Sequence, residues 1–219
     1  SLMLALALPG VIMVEAEYLA FEVLTILAAS FGTLALAAQS IASNIGSLSF
    51  QLPFAVSVAV STRVGHFVGK KDVFGARTVT LVALVFGCVI SLFNFSWIFF
   101  SKNRLVAIFT SDSEVMLIGT KVLTMVAINQ LADAINVLEA GILRGQGRQK
   151  IGSNVNLVCY YIIALPLAYV LAFPMNFGLI GLWAGLIVGV AALAIAELVC
   201  VYKSKWPQIM LDSESRHDH

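Results

Sequence analysis

Six stretches of this chain are almost unbroken apolar runs, each ended by a short polar or glycine- and proline-bearing break. They cover about residues 2–29, 33–62, 78–100, 114–143, 151–173 and 179–202. Each reaches or exceeds the roughly 20 residues with which a helix crosses about 30 Å of hydrocarbon. The breaks carry turn chemistry: Ser30–Gly32, the segment from Gly65 to Gly75 with Lys70, Lys71 and Asp72, then a link bracketed by Ser101–Asn103 and Thr110–Ser113, then Gly145–Gly147 and Pro174–Gly178. No stretch alternates with period two, which argues against a membrane β-barrel. The pattern predicts an all-α integral membrane protein with six transmembrane helices in residues 1–202. The polar tail at 203–219, after Trp206-Pro207, is expected to be disordered.

Composition reinforces the pattern. Of 219 residues, 60% are hydrophobic and 11% charged, against roughly 25% charged in soluble domains, and the mean hydropathy is +0.95. The formal net charge of +1 carries no polyanion-binding signature, so nucleic acid is not an expected partner. Cys88, Cys159 and Cys200 lie far apart in apolar runs, with neither disulfide-framework nor zinc spacing. Ten of the thirteen Lys and Arg residues fall in the second and fourth breaks and the tail: Arg63, Lys70, Lys71, Arg77, Arg144, Arg148, Lys150, Lys203, Lys205 and Arg216. Positive residues stay in the cytoplasm, so these breaks and both termini are expected there. The chain starts at Ser1-Leu2, without an initiator methionine and already at the membrane, which predicts a missing N-terminal part.

Ionisable groups within membrane helices cost about 2.5 kcal/mol or more, so each is a candidate functional residue. The first stretch holds Glu15, Glu17 and Glu22. At about 100° per residue, Glu15 and Glu22 lie within about 20° of each other, with Glu17 some 140–160° away and Tyr18, Phe21 and Thr25 between. So wide an acidic and aromatic arc is expected to line a cavity or pack on protein. Glu17 lies roughly 22 Å along the helix from Leu2, near mid-membrane. The fourth stretch adds Asn129, Gln130, Asp133 and Asn136, of which Asn129, Asp133 and Asn136 share a face. Asp133, roughly 16 Å from Arg144, matches the depth of Glu17. Glu139, nearer the break, is expected to snorkel or pair with Arg144. The second stretch presents Ser40, Asn44, Ser47 and Gln51 on one face, with Gln39 and Ser43 beside it. The serines suit interhelical hydrogen bonding, whereas Asn44 and Gln39 suit packing and cavity lining equally. Pro9, Pro53 and Pro166 each remove a helix bond, and Gly181-x3-Gly185-x3-Gly189 reads as a close-packing face.

Enzyme chemistry has no foothold. The chain lacks G-x-S-x-G, H-E-x-x-H and a P-loop. Gly145-Gln146-Gly147 has no third glycine, and His66, His217 and His219 lie in a loop and the tail, where His217-Asp218-His219 reads as solvated rather than as a metal site. No catalytic residue, cofactor or metal is expected. The sequon Asn94-Phe95-Ser96 sits inside an apolar run and should be unused.

Three sets of residues resemble the C-terminal half of multidrug and toxin extrusion (MATE) transporters of the eukaryotic branch, in a fungal-type form. Leu6-Ala-Leu-Pro9 with Glu17-Tyr-Leu-Ala-Phe-Glu22 looks like the family's seventh helix and its E-x4-E pair. Ser61-Thr-Arg63-Val-Gly65-His-Phe-Val-Gly69 is similar to the loop after the eighth helix, with His66 where asparagine is usual. Gly141-Ile-Leu-Arg144-Gly145-Gln-Gly147-Arg-Gln149-Lys150, Asn156, Tyr160-Tyr161, Leu165-Pro166 and Gly181-Leu-Trp183-Ala-Gly185 match the tenth to twelfth helices, and Ala38-Gln39-Ser40-Ile41 fits the eighth. The resemblance implies one six-helix lobe of a two-lobe antiporter that exports organic cations and other drugs in exchange for protons, in the plasma membrane or a vacuolar or other organelle membrane. By position it implies proton and substrate roles for Glu17, Glu22 and Asp133. Asn44 stands where some members carry glutamate, and Glu15 matches no family position, although its helical angle pairs it with Glu22.

The expected mechanism is electrostatic. Withdrawal from water favours a neutral carboxyl and a bound cation favours the carboxylate, so proton and cation compete at one cavity, reciprocally. Tyr18 and Phe21 add cation–π contact, and rocking of the lobes alternates access. The rival readings are a channel, which only equilibrates its permeant, and a non-transporting membrane scaffold, in which neutral substitutions cost stability rather than flux.

Overall fold

The structure, a computed structural model, describes residues 2–217, with the side chains of residue 11 and residues 15–214. Pro9, Arg216 and the histidine pair His217 and His219 therefore lie outside the described side chains. The described residues are helical throughout, apart from short turns. The elements are α1 (Leu2–Ala29), α2 (Thr33–Gly69), α3 (Val73–Phe109) and α4 (Ser113–Gly145), then α5 (Gln149–Leu157), a π turn (Val158–Ala164), α6 (Leu165–Ala172), α7 (Gly178–Tyr202) and α8 (Trp206–His217). Among the described residues five helices are long and apolar enough to cross a membrane: α2, α3, α4, the rod Gln149–Ala172 and α7.

Several helices outrun their apolar runs. The run starting at Thr33 stops near Thr62, but α2 continues to Gly69. Hydropathy measures hydrocarbon, whereas a helix needs only its backbone ladder and a face to pack. Val64 and Val68 supply that face and are buried. Asp72 caps α3 by accepting from the Gly75 backbone N–H at 2.9 Å, and Asp112 caps α4 through Glu114 and Val115. Gly32, ahead of α2, has φ 99°, a conformation that any Cβ would strain.

The expected disordered tail is instead a helix. In α8, Trp206, Ile209 and Met210 are buried in one cluster with Val60, Val64, Val68 and Leu143. Their i, i+3, i+4 spacing makes one apolar stripe within a polar segment, and the end of α2 provides the surface that receives it. The exposed Lys71–Glu214 ion pair at 2.8 Å contributes little by comparison.

α4 is the central helix, packed against α2, α3 and α7. Two seams of small residues allow close approach. Gly181, Gly185 and Gly189 of α7 lie directly on Ala172, Ala168 and Ala164 of the fifth rod, and Gly141 and Gly145 of α4 lie on Ser57 and Ser61 of α2. Without a solvent-driven hydrophobic force between membrane helices, such contact is a main source of their cohesion. The basic segments collect at one end. Arg148 Nη1 donates to Ser204 Oγ at 2.9 Å and to the Cys200 carbonyl at 3.3 Å, joining the α4–α5 turn to the α7–α8 turn. At the other end, Phe31 stacks on Phe173 with centroids 4.9 Å apart.

Candidate functional site

A concave cavity of about 430 Å3 opens on one side of the helix group, between α1, α2 and α4, with Trp183 of α7 at its wall. Its size lies in the range of small-molecule pockets. Glu17, Tyr18, Phe21 and Glu22 come from α1, Asn44 from α2, and Asn129, Gln130 and Asp133 from α4. Every side chain that the sequence singled out most strongly thus meets at one surface. Two carboxylates lining one cavity repel when both are ionised, and Glu17 and Asp133 line the same one. A proton or a bound cation relieves that repulsion.

Two sequence candidates fall elsewhere. Glu15 is exposed and outside the lining. It shares the angle of Glu22 but lies seven residues away, about 10 Å along the axis, and the cavity spans only the level from Glu17 to Thr25 on this helix. Gln39 is buried behind the wall. It accepts from Trp183 Nε1 at 2.9 Å, and its amide nitrogen reaches Thr25 and Ser43 at 3.5 Å, which ties α1, α2 and α7 together. Phe21 meets the Trp183 ring edge to face at 6.1 Å, and Tyr18 meets Phe50 at 6.4 Å, so four aromatic walls of the cavity hold one another in place in two pairs. The amide of Asn44 turns back to the Ser40 carbonyl at 2.9 Å.

The orientation of Asp133 begins at a proline. Pro53, inside α2, has no N–H to give to the carbonyl of Ser49, four residues earlier. Asn94 of α3 supplies the missing donor: its Nδ2 bonds Ser49 O at 3.1 Å and Gln130 Oε1 at 3.0 Å. With its oxygen so engaged, Gln130 presents Nε2 to Asp133 Oδ2 at 3.4 Å. A backbone carbonyl, which can only accept, fixes the sense of the whole chain of amides. The Asn94 of the sequon is thus buried and structurally engaged. Asp133 Oδ1 and Asn129 Oδ1 are buried without a hydrogen-bond partner.

Glu139 departs from expectation. It neither snorkels nor pairs with Arg144, since it is 0% exposed and the described residues hold no ion pair besides Lys71–Glu214. Central packing of α4 on three neighbours buries every side of this turn. Arg144 instead donates to Ser57 Oγ at 2.7 Å, and that hydroxyl donates to the Val137 carbonyl at 2.7 Å. Sequence reasoning also missed Glu197 of α7, which is fully buried and accepts from Asn156 Nδ2 at 3.1 Å. The cost of an ionisable group in a membrane helix flags it as clearly as Glu17. In the fifth rod the helix widens into a π turn just before Pro166, which relieves the clash of the ring with the preceding turn. Among the described residues no three His, Cys, Asp or Glu side chains converge as a metal site.

Comparison with known proteins places this arrangement. The family model described as MatE matches residues 9–170. An uncharacterised transporter of Schizosaccharomyces pombe is 37% identical over 94% of this chain and 38% of its own length. Human multidrug and toxin extrusion protein 1 is 33% identical over 93% of this chain and 36% of its own. The crystal structure of the eukaryotic MATE transporter AtDTX14 superposes with a TM-score of 0.92 at 28% identity, covering 97% of this chain and 48% of that one. The chain spans well under half the length of the curated relatives it matches.

Proposed function

Since this chain belongs to the MatE family of transporters and is not an enzyme, we propose that it is one lobe of a two-lobe antiporter. It exports organic cations in exchange for protons. The observation that carries this reading is the joint placement of Glu17 and Asp133 in a cavity that also offers Tyr18, Phe21 and Trp183. Carboxylates attract a cation, aromatic faces favour it over water, and protonation of the same carboxylates expels it. Six membrane helices at 2–202 form the lobe, and the open side of the cavity meets a second lobe that rocks against it.

The test is transport in vesicles that hold this chain with its companion lobe. A pH gradient should accumulate tetraethylammonium against its own concentration gradient, and collapse of the pH gradient should release it. Uptake that stops at equal concentrations would instead support the channel reading. Vesicles holding this lobe alone should show no accumulation.

The same reading places both termini and the basic end in the cytoplasm. A cysteine at position 71, Lys71→Cys, should resist an impermeant maleimide added to intact cells and react after permeabilisation. Labelling from outside would reverse the topology.

A further inference from the structure

A one-way chain of hydrogen bonds reaches Asp133 from outside the cavity. Asn94 and Gln130 are each 2% exposed and Asp133 is 4% exposed, so water does not readily replace these bonds. The Ser49 carbonyl only accepts, and Pro53 has no N–H to give it. Asn94 turns its Nδ2 toward that carbonyl at 3.1 Å, and the same amino group meets Gln130 Oε1 at 3.0 Å. Gln130 is left with only its Nε2 for Asp133 Oδ2, at 3.4 Å. α3, which carries Asn94, contributes no described residue to the cavity lining.

This chain constrains a proton as well as a side chain. An amide nitrogen donates and does not accept, so Asp133 Oδ2 has to remain an acceptor whether the carboxyl is ionised or neutral. A neutral carboxyl has one C=O and one O–H, and the O–H then belongs at Oδ1. The reverse arrangement propagates badly. A proton on Oδ2 needs Gln130 Oε1 as its acceptor, and that turn of the amide sets Gln130 Nε2 against Asn94 Nδ2, donor against donor. Turning Asn94 as well sets its oxygen against the Ser49 carbonyl, acceptor against acceptor. Buried polar groups are rarely left in such pairs. Oδ1 meets no such conflict. It is buried without a partner, and so is Asn129 Oδ1. Asn129 stands one turn before Asp133 on the same face of α4, and both line the cavity, so an O–H at Oδ1 has an acceptor on its own helix. The other titratable side chains of the described lining are Glu17, Tyr18 and Glu22, all from α1, and α2 and α7 bring none.

We propose that Asn94 and Gln130 are positioning residues for proton exchange at Asp133: they hold Oδ2 as a permanent acceptor and direct the proton to Oδ1, beside Asn129. The proposal rests on the proton-antiport reading. One O–H bond forms at Oδ1 when Asp133 takes a proton from water, and it breaks when the proton returns to water. The bond from Gln130 to Oδ2 is the same in both states. Asp133 therefore changes charge without any amide in the chain having to turn, and the carboxyl keeps its orientation toward the cavity through the cycle.

The experiment uses vesicles holding this chain with its companion lobe, and the variants Asn94→Leu and Gln130→Met, which keep the size but cannot donate. Two quantities are measured: pH-gradient-driven uptake of tetraethylammonium, and the pH-difference infrared spectrum. The neutral Asp133 carboxyl gives a C=O stretch in that spectrum, recognised by its loss in Asp133→Asn. In the parent this C=O accepts from Gln130, which lowers its frequency. Both variants should move the band to higher wavenumber and slow uptake on the order of tenfold. A band at the parental wavenumber in either variant overturns the proposal, even where uptake falls, because a merely structural loss leaves that bond in place. Parental uptake in both variants overturns it too. Should Asn94→Leu fail to fold, Gln130→Met decides alone, since it leaves Asn94 on the Ser49 carbonyl. Asp133→Asn separates the two levels. Parental uptake in Asp133→Asn defeats the antiport reading at this residue, whereas a silent Asp133→Asn beside normal Asn94→Leu and Gln130→Met defeats only the positioning.

Discussion

Glu17→Gln, in the two-lobe protein, is expected to lower pH-gradient-driven uptake of an organic cation on the order of 100-fold while the protein still folds. Glutamine keeps the size and a hydrogen-bonding capacity but neither carries charge nor exchanges a proton. Glu17 and Asp133 face one cavity, so removing either takes one switching charge from it, and Asp133→Asn should act in the same direction. Asp133 is also the end of the Ser49–Asn94–Gln130 chain, so its variant needs a check on thermal stability alongside uptake. Glu15→Gln is the control. The residue is exposed and outside the cavity, and its variant should transport as the parent does. A silent Glu15→Gln with a normal Glu17→Gln would show that helical angle, not depth, decides which carboxylates couple.

The largest structural effect is expected at Gly185. Gly185→Leu should cost about 3 kcal/mol and abolish recovery of folded protein in detergent. A Cβ there would overlap the backbone nitrogen, Cα and Cβ of Ala168. No rotamer relieves a clash with backbone, so α7 would have to move off the fifth rod and carry Trp183 and Glu197 with it. Gly69→Ala is the comparison, because nothing lies within 4 Å of a Cβ at that position. It should melt at or slightly above the parental temperature, since alanine loses less entropy in a helix than glycine does. Size-exclusion profiles and melting curves of the two variants check the contrast, and equal behaviour would remove the seam from the account of stability.

The two substitutions mark different depths of what the sequence reveals. Apolar runs of sufficient length dictate membrane helices, because uninterrupted hydrocarbon contact has no other stable use. The price of placing carboxylates in them made Glu17 and Asp133 visible as candidates before any contact was known. Glu197 was equally legible by that rule, standing alone in the most apolar helix. The glycines at 181, 185 and 189 announced a close seam by spacing alone, though not its partner, Ala164, Ala168 and Ala172.

Other features had no signal along the chain. Glu15 and Glu22 share a helical angle, but only the depth of the cavity admits one and excludes the other. Gln39 and Asn44 belong to the same polar stripe, yet the position of Trp183 turned one into a fastener and left the other at the cavity. The helix at the tail exists because the end of α2 offers it an apolar surface, which the tail's own polar composition concealed. Asn94 reads as an unused sequon, and becomes the donor that Pro53 lacks only when α3 lies beside α2. Local pattern determines which segments are helices and which residues are costly to bury, because both depend on the residue and its near neighbours. Which costly residues face each other depends on helix rotation and depth, and these are settled by packing between segments far apart in the chain.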